Sequence, residues 1–262
     1  MAAAKKEKKD SKQKSQPSGG GLNAFLKEVG IILGTFLLLN SFVLASFEVP
    51  TGSMENEIMT GDFLLVNKFI FGGTGAAYEK FLPYRPIRRG DILVFKFPYG
   101  DHTHFVKRVI GLPGDRIKIV DKQVYVNGLP LLEPYKVQDP GELYDSFGAN
   151  FPPTSRHFLH RNVQPEWGEV ILDHVEGGEL VVPPNRYFVM GDNRDNSLDS
   201  RYWGFVDRGA VMGRPIVIYW SVEATTADYS DRSLGGRIIG LLDTLIHLPM
   251  KTRWSRMFRG VH

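Results

Sequence analysis

Residues 29–47, VGIILGTFLLLNSFVLASF, form 19 consecutive positions without a charge, preceded by a segment of lysines and small polar residues. At ~1.5 Å per residue, such a run spans about 30 Å of hydrocarbon as a helix. It predicts one N-terminal transmembrane helix over 29–47, with residues 1–28 before it as a disordered basic tail. The run is longer than the roughly 7–15 apolar residues of a cleavable leader, so Val43-Leu44-Ala45 is not read as a cleavage site. Beyond it the pattern changes. Short β-branched or aromatic runs bounded by Gly, Pro or Asp recur at 62–69, 91–97, 103–110, 116–120, 123–127, 187–190, 202–206 and 211–220. This spacing predicts a mainly antiparallel β body over 48–262. The stretch 133–180 is rich in Pro, Gly, His and Glu with poor periodicity, which predicts an inserted lobe within 116–182 rather than core. Near the end, Leu234, Ile238, Leu241, Leu242, Leu245 and Leu248 recur at helical spacing ahead of Lys251, Arg253, Arg256 and Arg259. That segment predicts an amphipathic helix, lying at a lipid interface or packed on the sheet.

Charge sharpens this picture. The 262-residue chain has a net charge of +3. Residues 1–28 hold seven lysines against three acids, leaving 25 basic and 26 acidic side chains for the rest. All the excess therefore lies ahead of the apolar run, which keeps the tail cytoplasmic and puts 48–262 outside the cytoplasmic membrane. A neutral body lacks the basic footprint of a nucleic-acid binder. Cysteine is absent, which excludes disulfide scaffolds, Cys-ligated zinc, iron–sulfur clusters and cysteine nucleophiles. His102 and His104 share a strand face, but no third ligand matches them, so no metal and no cofactor are expected.

Three segments carry candidate chemistry. In Glu48-Val49-Pro50-Thr51-Gly52-Ser53-Met54, Pro50 and Gly52 constrain a turn that presents Ser53 close to the end of the apolar run. In 104–115, HFVKRVIGLPGD, strand alternation sets Lys107 between Phe105 and Val109. A lysine on an apolar face loses hydration of its charge, which shifts it toward the neutral amine that can act as a base. The third segment, 191–204, reads GDNRDNSLDSRYWG. It is too poorly spaced for a calcium loop: Arg194 or Gly204 falls on a ligand position.

Together with Gly61-Asp62, Val66-Asn67-Lys68-Phe69 and Arg89-Gly90-Asp91-Ile92, these boxes resemble the bacterial type I signal peptidases, in that family's order across 48–115 and 183–220. The resemblance implies an antiparallel β-sheet peptidase fold of the signal peptidase/LexA-like kind with an inserted lobe. It implies a membrane-anchored serine endopeptidase that cleaves signal peptides from exported preproteins after small neutral residues, with preproteins and membrane lipid as partners. Residue by residue, it implies Ser53 as nucleophile and Lys107 as general base. The Thr51 hydroxyl joins the Ser53 N–H in an oxyanion hole, Ser197 orients the lysine amine, and Asp199 with Arg201 forms a supporting ion pair. The chain departs from the family after the nucleophile, where Met54-Glu55-Asn56-Glu57-Ile58 replaces Met-x-Pro-Thr-Leu. Two other classes are weighed against this one. A self-cleaving repressor of the LexA type needs a DNA-binding helix-turn-helix, and residues 1–28 contain none. A tethered binding protein on an inactive peptidase fold is expected to lack Ser53, Lys107 or Ser197, and all three are present.

Overall fold

The computed structural model describes residues 22–42, 44–72, 84–100, 103–138, 146–158, 160–229 and 248–262. The segment 230–247, which holds most of the C-terminal amphipathic pattern, and His102 lie outside the described residues, as does the first part of the tail. The chain divides between Ser41 and Phe42 into two units. Helix α1, Leu22–Phe42, accounts for the described part of the first. Its described side chains, at 24–35, are exposed. Among the described residues, no helix is long and apolar enough to cross a membrane.

Residues 44–47, expected to continue the helix, instead belong to β1 (Leu44–Glu48). This strand pairs antiparallel with β2 (Asp62–Asn67), from Leu44 opposite Asn67 to Glu48 opposite Phe63. An uninterrupted apolar run signals burial without fixing the backbone period, so the strand was hidden inside it.

The body consists of two antiparallel sheets. Besides β1 and β2, the larger contains β3 (Ile92–Lys96), β4 (His104–Gly111), β10 (Arg186–Met190), β11 (Val206–Asp207), β12 (Val211–Ser221) and β13 (Arg259–Gly260). Its order is β1-β2-β12-β3-β4-β10-β11, with β13 also on β12. The smaller runs β7-β6-β5-β9-β8 through β5 (Arg116–Val120), β6 (Gln123–Val126), β7 (Leu129–Pro130), β8 (Val175–Glu176) and β9 (Glu179–Val181). β12 holds the larger sheet together, pairing with β3 near its start and with β2 thereafter. Gly213 sits at this change of partner, where a Cβ would lie 2.2 Å from the Asn67 carbonyl oxygen. Only glycine permits so close a crossing.

Two further segments differ from expectation. Residues 202–206 do not form one strand: Ser200–Trp203 is a helical turn with Asp199 as its N-cap, and only Val206–Asp207 is extended. The aromatic run Tyr202-Trp203-Gly204-Phe205 suggested a strand, but an Asp N-cap stabilises a helical turn more directly than aromatic propensity stabilises an edge strand. The 133–180 stretch also contributes to the core. Phe147, Phe151, Trp167, Ile171 and Leu180 are buried in one cluster with Leu93, Phe95 and Phe188. A second cluster, including Met54, Ile58, Leu64, Val94 and Ile218, lies beneath the Ser53 turn.

Candidate active site

The three candidate segments converge because of strand order. Ser53 lies in a 3₁₀ turn, Gly52–Met54, within the connection from β1 to β2. That connection is closed by hydrogen bonds from Val49 N–H to the Asp62 oxygen (2.9 Å) and from Gly61 N–H to the Val49 oxygen (2.8 Å). Lys107 lies midway along β4, opposite Leu93 of β3. The 191–199 loop leaves β10, which pairs with β4. The Asn193 N–H donates to the Ser53 carbonyl oxygen at 3.1 Å, joining this loop to the turn.

Lys107 Nζ donates to Ser53 Oγ at 2.5 Å and to the Val106 carbonyl oxygen at 3.1 Å. Lys107 is only 3% exposed and Ser53 8%. The Phe105 ring centroid stands 5.5 Å from Nζ. Burial pulls the ammonium down to about 8; Asp199 and Asp192 oppose that shift and Arg201 assists it. An amine that loses its proton near 8, in contact with a hydroxyl, can accept the hydroxyl proton.

Thr51 is exposed on extended backbone at the start of the turn and lines the same cleft as Ser53. Ser197 is brought to the site but makes no bond to the lysine: its Oγ is buried with no hydrogen-bond partner. It packs on Gly191, where a Cβ would lie 2.3 Å from Ser197 Oγ and 2.4 Å from the Ser53 carbonyl oxygen. Glycine at 191 thus lets the loop approach the Ser53 turn. Asp199 and Arg201 form a buried two-point ion pair, at 2.8 Å and 2.9 Å. Burial raises the Asp199 carboxyl, but the Arg201 charge and hydrogen bonds outweigh it and hold the group below its ordinary range. The cleft over these residues has a volume of about 670 Å³, with Phe47, Val49, Val94 and Phe105 among its apolar walls.

A model of the family described as "Signal peptidase, peptidase S26" matches residues 22–220. The chain belongs to that family. It is a serine endopeptidase of the signal-peptide-cleaving kind. Signal peptidase I of Pseudomonas aeruginosa is 32% identical over 208 residues, covering 72% of this chain and 69% of that one. Signal peptidase I of Rickettsia typhi is 31% identical over 241 residues, covering 86% and 89%. A solved signal peptidase I from Enterococcus faecalis V583 aligns at 33% identity with a TM-score of 0.33, over 50% of this chain and 97% of that chain.

Two buried ion pairs near the candidate site escaped sequence reasoning. Arg108 grips Asp192 at 2.8 Å and 2.7 Å, and its guanidinium lies over the Tyr135 ring at 4.1 Å. Arg194 donates through both terminal nitrogens to the Glu133 carboxylate. Both pairs tie the 191–199 loop to neighbouring segments, the first to the strand that carries Lys107. Arg108 and Asp192 stand inside candidate segments, but nothing in the sequence indicates that they face one another across the β4–β10 pair. Glu133 lies where periodicity is poor, and its sequence gives no usable signal.

Proposed function

We propose that this serine endopeptidase works through a Ser53–Lys107 dyad and is anchored in the cytoplasmic membrane by its N-terminal segment, with the catalytic body on the outer face. The observation that carries the dyad is the 2.5 Å contact between a buried lysine amine and the Ser53 hydroxyl. Neutral Lys107 takes the Ser53 proton as Oγ adds to the scissile carbonyl of a preprotein. The oxyanion is met by the Ser53 N–H and the Thr51 hydroxyl, donors of a kind whose loss typically costs about 10²–10³ in rate. Lys107 ammonium then gives its proton to the leaving amine as the C–N bond breaks. Water, deprotonated by the same amine, releases the acyl group from Ser53. The ion pair of Asp199 and Arg201 supports the loop, and Ser197 Oγ stands beside the dyad, free to bond the amine as it changes charge. No cofactor takes part in this scheme, and the neutral body gives nucleic acid no role. The apolar cleft suits the uncharged side chains that precede a signal-peptide cut.

The test is incubation of the full chain in detergent with a preprotein, reading the new N-terminus by mass spectrometry. A single cut at the end of the signal segment, absent in Ser53→Ala, is the expected result; cleavage by Ser53→Ala would overturn the assignment.

The pH profile gives a second check. Because the neutral amine is the active form, kcat/KM rises with pH through an apparent pKa near 8. An acidic limb at the roughly 10.4 of a free lysine would show that Lys107 is not the base.

Anchoring rests on the uncharged 29–42 portion of α1 and on the lysines that precede it. Protease added outside spheroplasts is expected to degrade 48–262 and spare the tail. Protection of the body would overturn the topology.

A further inference from the structure

The segment 252–262 touches the nucleophile turn, the lysine strand and, through one arginine, the third loop. Val261 is buried in the same cluster as Met54, the last residue of the turn, and Ile58, which follows it. Arg256 donates to Asp62 Oδ2 at 2.6 Å and to the Glu57 carbonyl oxygen at 3.0 Å. The His262 N–H donates to the Glu57 carboxylate at 2.9 Å, and Arg259 Nη2 stands 3.6 Å from the other carboxylate oxygen. A main-chain oxygen of His262 accepts from Arg108 Nη1 at 3.0 Å, while the opposite edge of that guanidinium holds Asp192. His262 therefore links Glu57, four residues beyond Ser53, to Arg108, the neighbour of Lys107.

The turn needs outside support. Asn56 has φ 99°, a conformation that non-glycine residues adopt at a cost and that persists only when its surroundings enforce it. Within the 55–58 loop, Glu57 is the residue whose side chain reaches the closing segment.

We propose that Glu57 is a positioning residue, latching 256–262 onto the nucleophile turn and thereby fixing Ser53 Oγ against Lys107 Nζ. This role rests on the Ser–Lys reading above. Without the latch the turn relaxes, and misplacement of a reacting group by about 1 Å costs on the order of 10²-fold. The cleft walls from Phe47, Val94 and Phe105 do not depend on Glu57, so substrate binding persists.

The test uses the full chain in detergent with a preprotein, measuring kcat, KM and thermal melts for Glu57→Ala, Glu57→Gln, His262→Pro, His262→Ala and Ser53→Ala. Glu57→Ala is expected to lower kcat by about 10- to 100-fold with KM within about twofold of wild type. Glu57→Gln keeps an acceptor oxygen and restores most of the rate. His262→Pro removes the donor N–H and reproduces Glu57→Ala, whereas His262→Ala keeps it and behaves as wild type. The double variant Glu57→Ala/His262→Pro is no slower than the slower single variant, because both break one bond. If Ser53 remains essential while Glu57→Ala and His262→Pro keep wild-type kcat, or lose rate only as folded protein is lost, the latch alone is overturned. A Gln variant as slow as the Ala variant overturns the hydrogen-bonded latch too. Cleavage by Ser53→Ala overturns the Ser–Lys reading, and the latch with it.

Discussion

Lys107→Met abolishes cleavage and, at neutral pH, yields a protein that melts at a higher temperature than the wild type. The loss of activity follows from removing the amine that contacts Ser53 Oγ. Losing a triad-type base leaves only the catalysis that binding and the oxyanion donors supply, a fall of about 10³-fold or more in kcat. Lys107→Arg is equally inactive, since a guanidinium keeps its proton at any accessible pH. The gain in stability follows from burial. Wild-type Lys107 titrates near 8 when folded and at its ordinary higher value when unfolded. Between those two values the unfolded chain binds more protons than the folded one, so stability rises with pH there. Below 8 the folded protein carries a buried ammonium at its full desolvation cost. Methionine fills a similar volume without charge, so its advantage is greatest below pH 8 and shrinks as the wild-type amine deprotonates. Melts at pH 6.5 and 9.5 read the difference directly. A Met variant less stable than wild type at the lower pH would mean that the ammonium is well compensated in the fold and that burial does not depress its pKa. A proposed base that destabilises the fold is what a stability–activity trade-off predicts.

The sequence discloses the chemistry of this site better than its geometry. Ser53 and Lys107 each announce themselves locally, one by a Pro/Gly-constrained turn and the other by a charge in an apolar strand. Their contact depends on β12 inserting between β2 and β3. That arrangement joins residues far apart in the chain, and no local period encodes it. The pairing of β1 shows the same limit. Leu44–Glu48 is apolar enough to pass for more helix, and only its partner β2 makes it a strand. Trp167, Ile171 and Leu180 look unremarkable in a stretch without periodicity, yet they complete the main core. The bond from His262 to Glu57 crosses 205 positions of sequence. Local readings single out Ser53 and Lys107, which the fold brings into contact, because unusual residues stand together in one segment. They fail where long-range pairing decides the environment.

Neutralising the two halves of the Asp199–Arg201 pair moves the pH profile in opposite directions while destabilising the fold in both cases. Asp199 is fully buried and Arg201 is 3% exposed. Besides gripping Arg201, Asp199 accepts the Gly191 N–H at 3.1 Å, and Arg201 also donates to the Arg194 carbonyl oxygen at 2.8 Å. Deleting one member leaves an uncompensated buried charge, typically costing about 3–5 kcal/mol, or on the order of 10 °C in melting temperature for a body of this size. The two charges act on Lys107 with opposite sign: Asp199 raises its pKa and Arg201 lowers it. In Asp199→Asn the larger attraction is lost, leaving the guanidinium's repulsion opposed only by Asp192. The acidic limb of kcat/KM therefore moves below that of the wild type. In Arg201→Met the carboxylate stabilises the ammonium unopposed, and the limb moves above it. Measured on the folded fraction at a temperature well below both melts, these shifts separate electrostatic support of the base from mere scaffolding. Loosening of the loop alone admits water to Lys107 in either variant and moves both limbs upward. A limb that rises in Asp199→Asn would therefore assign the pair a structural role only, with the lysine's pKa set by burial against Phe105 and the neighbouring strand.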